Sequence, residues 1–376
     1  MSWKKMKFID FILLQRGHDL TKEQIKSGIY PVVTSTSIMG YHNTYKAEGP
    51  GVITGRSGTI GEVQYVEDNY WPHNTSLYVK DFKGNYPRFV YYFMKNFGTD
   101  RVKGGSAVPT LNRNNLSGID VYIPDYDTQY KIANVLERYD NLIENNKKQI
   151  KLLEEATQRL YKEWFVDLHF PGYEDVKIVD GVPEGWLYKR VEEFGDVITG
   201  KTPSTSKTEY YGGNIPFVTI PDMHGNVFPL ITEKTLTKVG AETQKNKYLP
   251  ANAVIVSCIA TVGLVNIAIE PCQTNQQINS VILYDDNDLY FFYESMKRTK
   301  ALLDGVGSNG ATMTNVNKTK FSNIKVLYPT ENLVMKYNEF CKPIFDKILA
   351  LSKAMLISGQ ARDRLLPKLM SGEIEV

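Results

Sequence analysis

The sequence predicts an α+β molecule: two β-rich α/β globular units in pseudo-symmetric tandem, separated by two long helices that pair with each other. Three observations predict it. The chain repeats itself at a distance of 205 residues, a heptad seam lies in each copy of the repeat, and short strand-and-turn patterns precede each seam. A repeat this long with only two copies is a duplicated domain, not a solenoid.

The first unit, residues 1–124, reads as short strands at 30–34, 51–54, 59–66 and 76–79, separated by Gly, Asn, Ser and Pro clusters. One helix interrupts them at 86–97. Its stripe of Phe89, Tyr92, Phe93 and Phe97 has helical spacing and reads as core, not as a ligand box.

A spacer helix follows in segment 125–170, starting after Pro124 with Asp127 or Thr128 as cap and ending near 165–168. Its a/d positions are Ile132, Leu136, Tyr139, Ile143, Asn146, Ile150, Leu153, Thr157, Leu160 and Trp164. At 1.5 Å per residue, about 40 residues make roughly 60 Å, too long to bury a seam inside one small domain. It therefore needs a partner helix. The second unit occupies 171–329, with a Pro-rich acidic linker at 171–185, strands at 215–220, 253–257, 261–269 and 281–284, and a helix at 289–303.

The partner lies in segment 330–376, where the seam recurs in phase as Tyr337, Cys341, Ile344, Ile348, Leu351, Met355, Ser358, Arg362, Leu365 and Leu369. Pro343 is expected to kink or break its first turns, and Pro367 to weaken its end. Asn146, Thr157 and Arg362 are polar seam positions, which cost stability and can fix register. The repeat also reaches upstream of both helices. Leu116-Ser117-Gly118-Ile119 to Pro124 answers Phe321-Ser322-Asn323-Ile324 to Pro329, and Tyr30-Pro31-Val32-Val33-Thr34 answers Ile215-Pro216-Phe217-Val218-Thr219.

Composition bounds the function less sharply. With 376 residues, 42% apolar and 12% aromatic, the chain can build real cores, but a net charge of +2 names no partner. The basic surface is local: Arg101, Lys103 and Arg113 stand in an acid-free stretch at 101–115, and Lys318, Lys320 and Lys325 in one at 306–325. These are the same loop in the two copies, which suggests contact with a polyanion. Cys258, Cys272 and Cys341 form no C-x-x-C pair, so neither a disulfide frame nor a zinc site is indicated. The apolar run at 8–14 is broken by Asp10 and is too short for a signal or a membrane span, so the expected compartment is the cytoplasm, with no membrane partner.

Several motifs imitate enzymes. Gly195-Asp196-Val197-Ile198-Thr199-Gly200-Lys201-Thr202 matches the phosphate-cradling loop literally. Such a loop works only where it opens a helix, and here Pro203 and a polar run follow. Asn214-Ile215-Pro216-Phe217 misses the first proline of a methyltransferase signature, and the carboxylates Asp222 and Glu233 lack nuclease spacing. No catalytic residue and no metal ligand is therefore expected in this chain.

The arrangement of variable unit, long helix, related unit and long helix resembles the specificity subunits of type I restriction-modification systems. The resemblance rests on Pro183-Glu184-Gly185-Trp186, Gly200-Lys201-Thr202-Pro203-Ser204, Tyr210-Tyr211-Gly212-Gly213 with Ile215-Pro216-Phe217-Val218, and the closing Leu365-Leu366-Pro367-Lys368-Leu369-Met370-Ser371-Gly372-Glu373. In the first half, Gln129-Tyr130-Lys131-Ile132-Ala133, Leu152-Leu153, Leu160 and Trp164-Phe165 fit the central helix, whereas Gly17-His18-Asp19-Leu20 stands where the Gly-Lys-Thr-Pro-Ser string would be.

The resemblance implies a non-catalytic reader of double-stranded DNA. Each globular unit would be a target recognition domain for one half of a split, asymmetric sequence, with the helices an antiparallel coiled-coil spacer. Two methyltransferase subunits would dock on those helices and bring S-adenosylmethionine, and restriction subunits would bring ATP and Mg, so the chain itself needs no cofactor. A coiled-coil protein adaptor without DNA specificity is the alternative.

DNA contacts are expected from Lys and Arg on phosphates and from Asn, Gln, Arg, Ser and Thr on bases. The candidates in the first unit are Arg56, Ser57, His73, Asn74, Lys103, Thr110, Arg113 and Asn114. In the second they are Lys201, Thr205, Lys207, Tyr210, Asn275, Gln276, Gln277, Asn309, Thr312 and Lys318. The adjacent carboxamides Asn275-Gln276-Gln277 suit bidentate contacts to adenine, with turn capping as the other reading.

Overall fold

Trp3–Lys7 (β1) is too short and too rich in lysine to hold itself together, and it finds its partner at the far end of its unit. In the computed structural model, which describes residues 3–56, 62–98, 113–259, 261–298 and 316–376, β1 pairs antiparallel with Asp120–Pro124. Lys5 and Lys7 both reach the Asp120 carboxylate, at 2.9 and 2.7 Å.

Between these two strands run α1 (Phe8–Phe11), β2 (Leu13–Arg16), β3 (Tyr30–Val33), β4 (Ile38–His42), β5 (Gly51–Gly55), β6 (Val63–Val66), β7 (Trp71–Pro72), β8 (Ser76–Asp81), α2 (Pro87–Phe97) and α3 (Arg113–Ser117). Asp120–Pro124 is β9. The strands form one sheet in the order β2-β8-β5-β6 and another in the order β4-β3-β7, with β3 and β7 parallel. In β5, Val52 packs toward α2, while Ile53 packs with Val33 of the other sheet and with Tyr70 and Tyr78. Both faces are covered, which is why this strand reads as an uninterrupted apolar run.

The aromatic stripe is core: Phe89 and Tyr92 are fully buried and Phe93 nearly so, each contributing on the order of 2 kcal/mol.

The second unit repeats the plan. After α4 (Tyr126–Phe165) come a small hairpin of β10 (Ile178–Val179) and β11 (Val182–Pro183), then β12 (Leu187–Arg190), β13 (Gly195–Thr199), β14 (Tyr211–Val218), α5 (Ile220–Met223), β15 (Lys234–Leu236) and α6 (Lys238–Glu242). There follow β16 (Val254–Ser257), β17 (Val265–Ile267), β18 (Gln273–Thr274), β19 (Ile278–Leu283), α7 (Leu289–Lys297), α8 (Lys318–Ser322), β20 (Lys325–Tyr328) and α9 (Glu331–Ser371). The sheets are β13-β19-β16-β17 and β15-β14-β18, β14 and β18 are parallel, and β12 pairs with β20. The match to the first unit holds strand for strand. Where β3 turns directly into β4, the second unit inserts α5 between β14 and β15.

Several expected boundaries move. The strand expected at 215–220 ends at Val218, because Thr219 and Asp222 form a capping box with Pro221 in the first turn and start α5. The strand expected at 261–269 shrinks to β17, since Gly263 turns the chain at φ 92°. The helix expected at 289–303 ends at Lys297, and of the strand expected at 59–66 the described part is β6. The rest of those two stretches falls largely outside the described residues.

The helix α4 is capped by Asp125, not by Asp127 or Thr128: its carboxylate accepts from the Thr128 amide at 2.9 Å. Nor does Pro343 break α9, which runs helical through both Pro343 and Pro367. Both prolines are exposed, so the carbonyls that lose an amide partner can turn to water.

Contact density divides the chain into two compact units, Met1–Ile143 with Ile357–Val376, and Glu144–Leu356. Each long helix therefore gives one part to each unit. In the first, Ile132 and Leu136 share a core with Leu365 and Leu369, Ile143 is the neighbour nearest Gly359, and Arg362 Nη1 meets Asp140 Oδ1 at 2.5 Å. Numbers rise along one helix as they fall along the other, so the pair is antiparallel. Asp140 Oδ2 also accepts from the Tyr92 hydroxyl at 2.6 Å, tying α2 to the seam. In the second, Tyr337 packs on Tyr161, Trp164 and Phe165, and its hydroxyl donates to the Thr157 carbonyl at 3.1 Å. No a/d position of either seam is exposed. Among the described residues no helix is long and apolar enough to cross a membrane, and no group of three or more His, Cys, Asp or Glu is placed to hold a metal.

Candidate nucleic-acid interface

The parallel pairing of β3 with β7 delivers residues 73–75 beside the turn that leaves β2, and backbone hydrogen bonds fix that crossing. The Gly17 amide donates to the Ser76 carbonyl at 3.0 Å, His18 to Pro72 at 2.7 Å, His73 to Val33 at 2.8 Å and Arg56 to Thr75 at 2.9 Å. The second unit makes the same four bonds: Gly200 to Ile278 at 3.0 Å, Lys201 to Thr274 at 2.9 Å, Asn275 to Val218 at 3.2 Å and Cys258 to Gln277 at 2.9 Å. A Cβ on Gly17 would lie 2.1 Å from the His73 oxygen, and one on Gly200 2.2 Å from that of Asn275, so only glycine fits either place. Gly17-His18 thus occupies the position of Gly200-Lys201, although the two strings look unalike.

This frame gathers many of the candidates chosen from sequence: Arg56, His73 and Asn74 in one unit, Lys201, Asn275, Gln276 and Gln277 in the other. The His73, Asn74, Asn275, Gln276 and Gln277 side chains divide into two kinds. Asn275 and Gln277 serve the turn, since Asn275 Oδ1 accepts from the Gln277 amide at 3.1 Å and its Nδ2 donates to Gln277 Oε1 at 3.0 Å. His73 does the same work: Nε2 donates to the Leu20 carbonyl at 3.1 Å, which leaves Nδ1 to accept from the Thr75 hydroxyl at 3.0 Å. Asn74 and Gln276 instead reach across to the opposite turn, bonding Asp19 and Thr202.

The Lys201 amide is spent on Thr274 and no helix starts there, so the phosphate-loop match has neither of the parts it needs. Lys201 itself is exposed. Its carbonyl accepts at 2.6 Å from buried Gln244, which also donates to Gln273 Oε1 at 2.8 Å and so ties the turn to the region after α6. Thr205 and Lys207 are exposed on the loop beyond; Lys207 lies 3.8 Å from Glu209 and 5.8 Å from the Tyr210 ring centre.

Burial first, then Lys46, lowers the pKa of His18, which favours the neutral ring. Arg113 and Asn114 lie exposed on α3, and Lys318 at the matching place on α8, capped by Asn317. Ser57, Lys103, Thr110, Asn309 and Thr312 lie outside the described residues. Sequence reasoning missed Asp19, Thr202, Gln244 and Gln273, whose partners are 29 to 74 residues away along the chain.

Both copies of this frame fall within segments that match one known family. The chain matches the family described as type I restriction modification DNA specificity domain over residues 2–155 and again over 183–333. It belongs to that family. This specificity-domain protein is 35% identical over 330 residues to the type I restriction enzyme HindI specificity subunit of Haemophilus influenzae, covering 71% of each chain. It is 26% identical over 304 residues to the MjaIX specificity subunit of Methanocaldococcus jannaschii, covering 77% of this chain and 69% of that one. Its fold is similar to the crystal structure of a type I restriction-modification S subunit from M. genitalium, with TM-score 0.64 at 15% identity over 98% and 96% of the two chains.

Proposed function

We propose that this specificity-domain protein is the non-catalytic, DNA-reading subunit of a type I restriction-modification enzyme. Each unit reads one half of a split, asymmetric target in double-stranded DNA. The antiparallel helices set the gap between the halves and dock two methyltransferase subunits. Chemistry belongs to the partners: S-adenosylmethionine is used by the methyltransferase subunits, and ATP and Mg by restriction subunits.

The observation that carries this reading is the duplicated frame. The backbone bonds around Gly17 and Gly200 coincide, while the side chains they present differ, as two readers of different half-sites require. Phosphate contact fixes register and base contact gives sequence, so a reader needs a constant scaffold with variable tips.

The test is binding of the assembled methyltransferase complex to duplexes carrying both halves, one half or neither, across a range of salt. Tight binding should need both halves, and affinity should fall with salt as phosphate contacts displace counterions. Equal binding to all three duplexes, or no salt slope, would point to the protein adaptor instead.

A further inference from the structure

Two side-chain hydrogen bonds cross the frame at the same place in the two units, and their chemistry is opposite. In the first unit the Asn74 amide nitrogen donates to Asp19. A carboxylate only accepts, so this bond fixes which way the Asn74 carboxamide is turned: nitrogen engaged, carbonyl oxygen available. In the second unit Thr202 Oγ1 donates to Gln276 Oε1 at 2.5 Å, so the carbonyl is engaged and the amide N–H groups are available. The places correspond closely, because Asp19 and Thr202 each stand two residues after the frame glycine, and Asn74 and Gln276 each follow the residue packed on it. Among the described residues neither carboxamide has another partner.

Stability alone does not account for these pairs. The Asp19 side chain is 79% exposed and also lies 3.5 Å from Arg16, and Gln276 is exposed, so both bonds compete with water. The turns themselves are already held by the shared backbone bonds and by His73, Asn275 and Gln277.

Resting on the DNA-reading function above, we propose that Asn74 and Gln276 are equivalent base-reading residues of opposite polarity. Asn74 presents an acceptor and selects, on the strand it faces, an amino-bearing base, adenine through N6 or cytosine through N4. Gln276 presents donors and selects, on the strand it faces, a base with a carbonyl oxygen in the major groove, guanine O6 or thymine O4. Asp19 and Thr202 are positioning residues that choose which end of the carboxamide faces the base.

The experiment maps the methylated sequences made by the assembled methyltransferase complex containing wild-type or variant chain. Asn74→Ala should lose roughly 10-fold discrimination at one base pair of the first half-site and leave the second unchanged, and Gln276→Ala should do the reverse. The double variant Asp19→Thr with Asn74→Gln moves the second unit's pair into the first. It should replace a requirement for adenine or cytosine by one for guanine or thymine at the same position, an outcome that a merely structural role cannot produce.

Thermal unfolding checks that each variant is folded, with Asn74→Ser and Gln276→Ser in reserve for any that is not. Folded variants with unchanged base preference overturn the proposal, as does a double variant that alters the other half-site. A wild-type complex that marks no split sequence would instead sink the function on which the proposal rests.

Discussion

At Glu294 packing and charge conflict. It is 2% exposed on α7, and its carboxylate accepts from the Thr157 hydroxyl at 3.0 Å, so a polar seam position is satisfied from the globular side. Burial raises its pKa to about 7, more than Lys297 and Thr157 lower it. Since the folded state then holds a proton that the unfolded state gives up near the usual 4.5, stability is fully present below that pH and is lost as pH rises through about 7. Glu294→Gln should therefore raise stability at pH 8 by about 1–2 kcal/mol and flatten the decline between pH 5 and 7. Thermal unfolding at the two ends of that range checks it, and an unchanged slope would refute the buried charge as its source. At this scale the sequence was half legible. Asn74, Lys201 and Gln276 could be chosen by residue type and by falling between strands. Asp19 and Thr202 could not, because 55 and 74 residues separate them from their partners and only the fold closes that distance.

Among elements, the long helices were the most legible, because their apolar period repeats over ten turns or so and no local accident can erase it. Strands were less so: β1 reads Trp3-Lys4-Lys5-Met6-Lys7, whose lysines hide the alternation, and it exists because β9 lies alongside. The cap of α4 was misplaced by two or three residues, since Asp125 and Asp127 are both good caps by type and geometry decides between them. Pro343 shows packing overriding propensity. Its neighbours Cys341 and Phe345 are fully buried in the second unit's core, and this burial outweighs one missing amide in an exposed turn. Pro343→Ala restores the bond to the Glu339 carbonyl and should stabilise the chain by about 1–3 kcal/mol, read as a higher thermal midpoint. A lower midpoint would mean that the helix is shaped around the proline.

At the scale of the whole molecule, duplication was legible because both copies keep the glycine, the strand order and the seam, even where the strings around Gly17 and Gly200 share little else. The resemblance already placed Gly17-His18 where Gly200-Lys201 stands, and what the sequence hid was the reason, since backbone bonds rather than residue identity carry that correspondence. The central claim is that two readers on one chain address one split target at a gap set by helix length. One heptad added to each of α4 and α9, after Ile143 and before Ile357, lengthens each by about 10 Å and leaves both reading frames untouched. Mapping the methylated sequences of the assembled complex with this chain should give the same two half-sites at a changed gap; an unchanged gap, or a single uninterrupted target in either chain, would contradict the account.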